Sequence, residues 1–257
     1  MKCCICGAVK NVGGYLDKIF QNMEKVGTLF EDYVIILYYD ISTDVTLQKL
    51  KNYQIKNPKL KFYSNMKEIS KYRTRRIANA RNGCLQMIRK NYSDYEMFIM
   101  MDCDDVCSQD IKLNVLQTYL YRNDWDALSF NKSNYYDIWA LSIRPYMLSY
   151  RHFEDALTPY KDYITTLLKN VPTNGLLKCA SAFNGFAIYR MNKFIDCNYD
   201  GSFNLNLFKK EYIERNIKAL NSKLKLGLIE DCEHRAFHID AINKNNARIR
   251  ISPEILF

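Results

Sequence analysis

The acidic cluster Asp102, Asp104 and Asp105 follows directly on the apolar run Tyr95–Met101 near the middle of the chain. Such a run predicts a buried strand, and open parallel sheets bind ligands at the carboxyl ends of their strands. Carboxylates this close repel one another unless a cation or protons intervene. A hard divalent cation, bound by one or two carboxylates and by substrate phosphates, would relieve the repulsion. The alternative is a strand followed by an acidic helix cap or turn.

A basic helix is predicted immediately before this strand, over Arg73–Arg89. Arg75, Asn79 and Asn82 follow one another at intervals of four and three residues, which places them on one helical face. Guanidinium groups suit diphosphate oxygens, and side-chain amides can bind sugar or base edges. The pattern therefore predicts an anion-binding surface, and its alternative is an ordinary solvated face.

Two further segments carry polar groups. Asp40, followed by Ser42 and Thr43, comes after the second predicted strand, where its carboxylate could accept hydrogen bonds from a ribose hydroxyl or a base amide. The alternative there is a turn with a helix cap. The second segment, 230–238, holds two of the three histidines of the chain beside three acids. Imidazole binds manganese-like ions, and a carboxylate can act as a general base.

In an extended conformation, Glu233 and His234 would point to opposite faces, and His234 and His238 to the same face. A surface strand with mixed charges is the alternative reading of this segment. An aromatic group at 135–146, which includes Tyr136 and Trp139, could stack on a sugar or base, although core packing explains single members equally well.

Alternating strands and helices position these groups. The expected fold is α/β, with a mostly parallel central sheet flanked by helices on both faces. We expect one domain over residues 1–257, with a nucleotide-binding half (about 1–126) and an acceptor-binding half (about 127–257). No G-x-G-x-x-G or G-x-x-x-x-G-K motif follows a strand, which argues against a nicotinamide cofactor or an ordinary P-loop. The predicted strands are Cys3–Val9, Val34–Tyr39, Leu60–Tyr63, the run before Asp102, Ala127–Phe130 and Phe186–Tyr189; the other predicted helices are Tyr15–Val26 and one that is capped by Thr43 or Asp44 and continues through Lys51.

The composition is typical of a globular protein, with 48% hydrophobic and 25% charged residues. A formal net charge of +9 favours anionic partners, but the absence of a long Lys/Arg block argues against a nucleic-acid partner. No stretch is apolar enough for a membrane span, and the N-terminus is too short for a signal peptide. Nine cysteines, an odd number, suit free thiols in a reducing compartment, so cytoplasmic localisation is expected. The Cys3-x-x-Cys6 pair has no partner pair for zinc.

Several short motifs in this order resemble GT-A-type glycosyltransferases, which use nucleotide-sugar donors. The resemblance is closer to a subset from large DNA viruses, and more distant to fungal capsule-associated mannosyltransferases. It covers most of the chain, although each motif alone is weak. The motifs are Gly7–Asn11, Tyr39–Asp44, Arg75–Asn82, Met101–Val106, Tyr136–Leu141, Ser181–Tyr189 and Cys232–His238.

The resemblance implies a GT-A, Rossmann-like fold and a Mn²⁺ or Mg²⁺ cofactor. It also implies Asp104 as a catalytic metal ligand, Asp102 as a ligand of the metal or the donor ribose, and His238, or else His234, as the C-terminal ligand. Glu233 would be the acceptor base in an inverting reaction. The donor-binding residues that it implies are Asn11, Asp40, Arg75, Asn79, Arg81, Asn82 and Asp102, with Asp105 and Trp139 as further candidates.

The sequence thus predicts a metal-dependent glycosyltransferase that moves a hexosyl or pentosyl group from a nucleotide sugar to a hydroxyl of a glycan or glycoconjugate. If the chain is viral, its place is the host cytoplasm. The alternative is a metal-dependent nucleotidyltransferase or another phosphoryl-transfer enzyme, since it needs the same acids and arginines. A basic nucleic-acid-binding module without catalysis is a third reading and predicts salt-dependent binding. The sequence does not indicate an oligomeric state.

Overall fold

A computed structural model describes residues 1–67 and 69–257 and shows strands alternating with helices in the first half. The strands are β1 (Lys2–Val9), β2 (Asp32–Asp40), β3 (Leu60–Asn65), β4 (Met97–Asp102), β5 (Ala127–Asn131), β6 (Leu177–Cys179), β7 (Phe186–Arg190) and β8 (Ile249–Ile255). The helices are α1 (Leu16–Gly27), α2 (Thr46–Lys56), α3 (Arg73–Asn91), α4 (Leu113–Leu120), α5 (Leu157–Lys169), α6 (Met191–Phe194), α7 (Lys210–Leu220) and α8 (Glu233–Asn245).

All eight described strands form one sheet in the order β3-β2-β1-β4-β7-β5-β8-β6. The first-half strands β1, β2, β3 and β4 run parallel, as do β5 and β8. Strand β7 is antiparallel to both of its neighbours, and β6 is antiparallel to β8. The predicted fold class, a mostly parallel sheet flanked by helices, is confirmed.

Strand β1 is buried on both faces, which explains its nearly continuous apolar sequence. Successive side chains of a strand point to opposite faces, so Cys3 and Ile5 join one apolar cluster while Cys4 and Cys6 join another. Helix α1 packs on the first face and α3 on the second. The helical residues that make these contacts include Leu16, Ile19 and Met23 of α1 and Cys84, Leu85 and Ile88 of α3.

One expectation about local structure was wrong in detail, and the surface-strand alternative for the segment that begins at Glu233 is wrong. Helix α2 continues to Lys56 rather than ending near Lys51, and it begins at Thr46, whose backbone N–H donates to the Asp44 carboxylate at 3.0 Å. Segment 233–238 is the start of helix α8 and not an extended strand. A helix brings residues i and i+4 to one face, so His234 and His238 still share a side, whereas Glu233 lies beside His234.

A third apolar cluster fills the second half, between the sheet and helices α5, α7 and α8. All nine cysteines are free thiols, and eight of them are buried. Among the described residues, no helix has both the length and the apolar character that crossing a membrane requires.

Candidate active site

The carboxyl ends of three neighbouring parallel strands meet at one edge of the sheet. Because β1 lies between β2 and β4, Asp40 and Asp102 end up on either side of its last residues. Ala8 pairs with Asp102 across one side, and Val9 pairs with Tyr39 across the other. Ligands of open α/β sheets bind at such an edge.

A cavity of ≈ 250 Å³ opens at this edge, between the strand ends and helix α3. Its walls combine charges of both signs on a small apolar floor, which suits a ligand that carries phosphates and a bound cation. The charged residues that line it are Asp40, Asp102, Asp104, Lys10, Arg73, Arg76 and Arg81.

Asp104 caps the short 3₁₀ turn Asp105–Cys107, and its Oδ1 accepts a hydrogen bond from the Val106 N–H at 3.1 Å. Burial raises the pKa of the Asp104 carboxyl, and the negative charge of Asp102 raises it further, to about 6. A carboxylate in such a position is ionised at a cost, which a cation placed beside it would offset.

Asp102 is bound on both of its oxygens. Its Oδ1 accepts from the Arg81 guanidinium at 2.9 Å, and its Oδ2 accepts from the Tyr136 hydroxyl at 2.7 Å. These two donors orient the carboxylate at the mouth of the cavity. Each oxygen retains a second lone pair that can face a ligand.

A divalent cation fits Asp102 and Asp104, because Mg²⁺-like ions are commonly held by one or two carboxylates plus substrate phosphates. Within residues 1–67 and 69–257, no group of three or more His, Cys, Asp or Glu side chains is arranged to hold a metal. The two aspartates therefore suit a cation that is completed by the oxygens of a donor, rather than a cage made of protein groups alone.

The expectation of His238 as a third metal ligand does not fit this geometry. The ring is fully buried, and both nitrogens face hydroxyl groups: Nδ1 lies 3.0 Å from Ser181 Oγ and Nε2 lies 3.1 Å from the Tyr189 hydroxyl. Burial, together with nearby arginines, lowers the pKa of His238 to about 3. His238 is a neutral core residue here, because α8 turns it toward the sheet.

Arg81 joins α3 to α8. Its guanidinium contacts the Glu233 carboxylate and the His234 ring, in addition to Asp102. Its Cζ also lies 4.5 Å from the centre of the Phe183 ring. Burial alone would lower the pKa of Arg81, but the two carboxylates raise it above its ordinary value, so the residue is a fixed cation.

Glu233 and His234 are both buried against Arg81. Burial raises the pKa of the Glu233 carboxyl, while Arg81 acts in the opposite direction. The His234 ring stacks on Phe183 at 3.8 Å, and burial lowers the pKa of His234 well below its usual value. Neither side chain lines the cavity directly; Arg81 separates Glu233 from it.

The predicted anion-binding face of α3 lies elsewhere. Arg75, Asn79 and Asn82 border a separate open cleft of ≈ 350 Å³. Asn82 is also committed to the backbone of Tyr199, donating at 2.9 Å and accepting at 2.8 Å. Asn79 donates to the Tyr38 hydroxyl at 2.9 Å. The charged cavity is instead lined by the opposite face of α3, which carries Arg73, Arg76 and Arg81.

Three other candidates do not line the cavity. Asn11 has a left-handed backbone (φ 52°) and accepts from the Thr43 N–H at 2.8 Å, which links the loops after β1 and β2. Asp105 is exposed at the 3₁₀ turn. Trp139 is covered by the Arg151 guanidinium, whose Cζ lies 3.7 Å from the ring centre.

The cavity is lined by one face of α3, of which the sequence predicted only Arg81 as a site residue; the other members are Arg73, Arg76, Ile77 and Ala80. The signal was present, because these positions follow the i, i+3, i+4, i+7, i+8 spacing of one helical face.

Asp137 lies within the aromatic group at 135–146, and the sequence predicts no catalytic role for it. Asp137 is half-buried, and its pKa is raised to about 7 by burial and by the charges of Asp102 and Glu233. No local pattern marks it, since the two charges that raise its pKa come from distant parts of the chain.

Solved structures with a similar fold include S. aureus TarS in complex with UDP-GlcNAc (15% identity, TM-score 0.50, covering 100% of this chain and 57% of that one). A mannosyltransferase from Pyrobaculum calidifontis in complex with GDP-Man and Mn²⁺ gives 12% identity and a TM-score of 0.44, with coverage of 98% and 56%. Glucosyl-3-phosphoglycerate synthase from Mycobacterium tuberculosis, in complex with Mn²⁺, UDP and phosphoglyceric acid, gives 10% and 0.44, with coverage of 75% and 57%. The chain thus spans less than three fifths of these neighbours' lengths, and the likeness to TarS shows a GT-A-like fold.

No curated protein matches the sequence significantly. The family model described as "Glycosyl transferase family 2" matches residues 4–190, which include most of β1, all of β2 to β7 and the charged cavity. That match extends over well more than half of the chain. The chain therefore belongs to glycosyl transferase family 2.

Proposed function

We propose that the chain is a metal-dependent glycosyltransferase that moves a sugar from a nucleotide-sugar donor to a hydroxyl group of a glycan or glycoconjugate. The observation that carries this proposal is the cavity at the ends of β1 and β4, where three aspartates face four cationic side chains. Family membership supports the transferase class, and the UDP-GlcNAc bound to TarS supports a nucleotide-sugar donor.

In this proposal Asp102 and Asp104 hold Mn²⁺ or Mg²⁺, which when bound neutralises charge on the leaving nucleoside diphosphate. Arg81 and Lys10 add fixed positive charge along the same wall. Asp40, which Lys10 holds at 3.1 Å, accepts from a ribose hydroxyl or a base amide. The Tyr136 hydroxyl and Arg81 keep Asp102 oriented, so little reorganisation is needed when the donor binds.

Two carboxylates compete for the role of acceptor base. Glu233 keeps the role that its motif implies, but it must first separate from Arg81. Asp137 needs no such separation, and a pKa of about 7 is near the value that suits a base at neutral pH. Asp137→Asn and Glu233→Gln distinguish them: the variant that removes the base should lose about 10²–10⁴-fold in kcat.

Finer features of the proposal come from the sequence motifs. The hexosyl or pentosyl nature of the sugar and the kinship to transferases of large DNA viruses and fungal capsule enzymes stay predictions. So does the division into a donor-binding half (1–126) and an acceptor-binding half (127–257). The nine free thiols support a reducing compartment such as the cytoplasm.

A donor screen tests the proposal. The purified chain is incubated with Mn²⁺ and a panel of nucleotide sugars, and release of nucleoside diphosphate is scored beside Asp104→Asn and Asp105→Asn. Asp104→Asn keeps the shape and the cap to Val106 but removes the charge, so turnover should fall at least about 10²-fold. Asp105→Asn, on the exposed neighbouring residue, should stay within about threefold.

Three outcomes would count against the proposal. Release of pyrophosphate would favour a nucleotidyltransferase. Equal loss in both variants would mean that charge near the turn, and not the Asp104 site, matters. Absence of turnover, combined with no metal-dependent thermal stabilisation by any nucleotide sugar or nucleoside diphosphate, would remove the donor site.

A further inference from the structure

A second and larger cavity, of ≈ 720 Å³, lies at the β6 edge of the sheet, where α5, α7 and α8 converge. Nothing in the proposed transfer reaction uses it. We propose that this cavity binds an amphiphile with a single aliphatic chain and an anionic headgroup.

The interior of the cavity is apolar. Leu177 of the edge strand faces Leu167 of α5, Phe208 before α7, and Ile239 and Ile242 of α8. Its volume lies within the range of about 300–1,000 Å³ that is usual for small-molecule sites. An apolar space of this size favours an aliphatic chain, because each methylene removed from water stabilises the complex.

The rim of the cavity is cationic. Arg144, Lys178 and Lys209 line it, and no acidic residue does. All three are exposed, and none forms an ion pair within the part of the chain that the structure describes. Arg144 is held in place by Tyr212, whose ring centre lies 4.8 Å from its Cζ. Three unpaired cations around an apolar opening are complementary to an anionic headgroup at the end of a chain.

The cavity is separate from the charged pocket at β1 and β4. Strands β7, β5 and β8 lie between β4 and β6. At about 4.8 Å per strand, the two sites are roughly 19 Å apart across the sheet. Binding to the second cavity can therefore be measured without a donor, and the proposal does not depend on the transferase activity.

Titration calorimetry with octyl and decyl phosphate below their micellar concentrations tests the proposal on the full chain. We expect Kd to fall about fourfold for each added methylene. Lys178→Gln/Lys209→Gln should weaken decyl phosphate binding at least about tenfold, since two headgroup contacts are lost. The control Lys218→Gln/Lys223→Gln changes two exposed lysines outside the cavity and should leave Kd within twofold.

Hydrogen exchange locates the ligand. Decyl phosphate should protect the amides of Leu177–Cys179 and of the segment 207–212, and leave Met97–Asp102 unchanged.

Four results would overturn the proposal. They are no binding of decyl phosphate, equally tight binding of decyltrimethylammonium, a Kd for inorganic phosphate equal to that of decyl phosphate, and binding only to phosphatidylglycerol vesicles. The last result would identify a membrane-facing surface instead of a cavity for single amphiphiles.

Discussion

Replacing Arg81 by methionine removes the guanidinium that joins α3 to α8 and leaves the Glu233 carboxylate buried without its cation. The Arg81 and Glu233 side chains are each only 6% exposed, and that of Asp102 is 21% exposed. Removing one partner of a buried pair costs about 3–5 kcal/mol, because the remaining charge keeps its desolvation penalty. For a chain of this length, each kcal/mol lowers Tm by about 2–4 °C, so we expect a fall of roughly 6–20 °C.

The assay is urea unfolding and thermal denaturation of Arg81→Met at pH 7.5, beside two other variants. Arg75→Met changes an exposed arginine of the same helix and should stay within about 0.5 kcal/mol of the parent. Arg81→Met/Glu233→Gln also removes the stranded charge, so it should recover at least about 1 kcal/mol relative to the single variant.

The pH dependence gives an independent check on the same reasoning. Glu233 has a raised pKa in the folded chain, and removing Arg81 takes away a cation that opposes the rise. A carboxyl with a raised folded pKa gains stability as pH falls through that pKa toward the unfolded value of about 4.3. The deficit of Arg81→Met should therefore shrink toward pH 5. A loss below 1 kcal/mol, or no recovery in the double variant, would refute the account.

Three other predictions concern stability. Asp104→Asn should stabilise the chain by about 1–3 kcal/mol at pH 8 and by nothing near pH 4. The Asp104 pKa of about 6 lies above the unfolded value of about 3.9, so the cost of its ionisation grows as pH rises between these two values and is complete above pH 6. Equal unfolding curves at pH 8 would contradict this. Between pH 6.5 and 4.5, the free energy of unfolding of His238→Gln should fall by about 2 kcal/mol less than that of the parent. The pKa of His238 is about 3 in the folded chain and about 6.5 in the unfolded chain, so the parent loses stability as pH falls below 6.5 and the unfolded chain takes up a proton. Parallel plots of unfolding free energy against pH for the two proteins would count against this. Gly201→Ala should lower the free energy of unfolding in urea by about 1–3 kcal/mol, because the added Cβ would lie 2.4 Å from the Thr74 carbonyl carbon. The control Gly14→Ala, with open space around the added Cβ, should leave the free energy of unfolding unchanged. An unchanged stability of Gly201→Ala would refute the prediction.

The first half of the fold was predictable because each element has a strong local signal. Residues Met97–Met101 are all apolar, since β4 is buried on both faces. Its aspartates then follow at the sheet edge for the topological reason that parallel strands end together. The sequence predicts four site residues that the structure brings to one cavity, namely Asp40, Arg81, Asp102 and Asp104.

The parts that were not predictable depend on long-range packing. The segment that begins at Glu233 is helical although its apolar residues form no clear stripe, because α8 is buried on most sides, and its buried charges Glu233 and Arg235 are paired with Arg81 and Asp231 outside the helix. His238 has the chemistry of a metal ligand, and only its contacts with Ser181 and Tyr189 show that both nitrogens are used. Whether the Arg75 face or the Arg81 face of α3 lines the charged cavity likewise depends on which side of the helix packs against the sheet.

Strand β7 has a consequence for how the chain is made. It belongs to the second half, yet it supplies the hydrogen bonds along the far edge of β4, from Met97 paired with Arg190 to Met101 paired with Phe186. On a ribosome, β4 is complete roughly 90 residues before its partner has been synthesised, which at about 5–20 residues per second takes about 4–18 s. An apolar strand with an open edge is a template for wrong pairing. During this interval the edge of β4 is exposed on the nascent chain. The yield of folded protein therefore depends on chaperone protection of this edge and on the rate of synthesis.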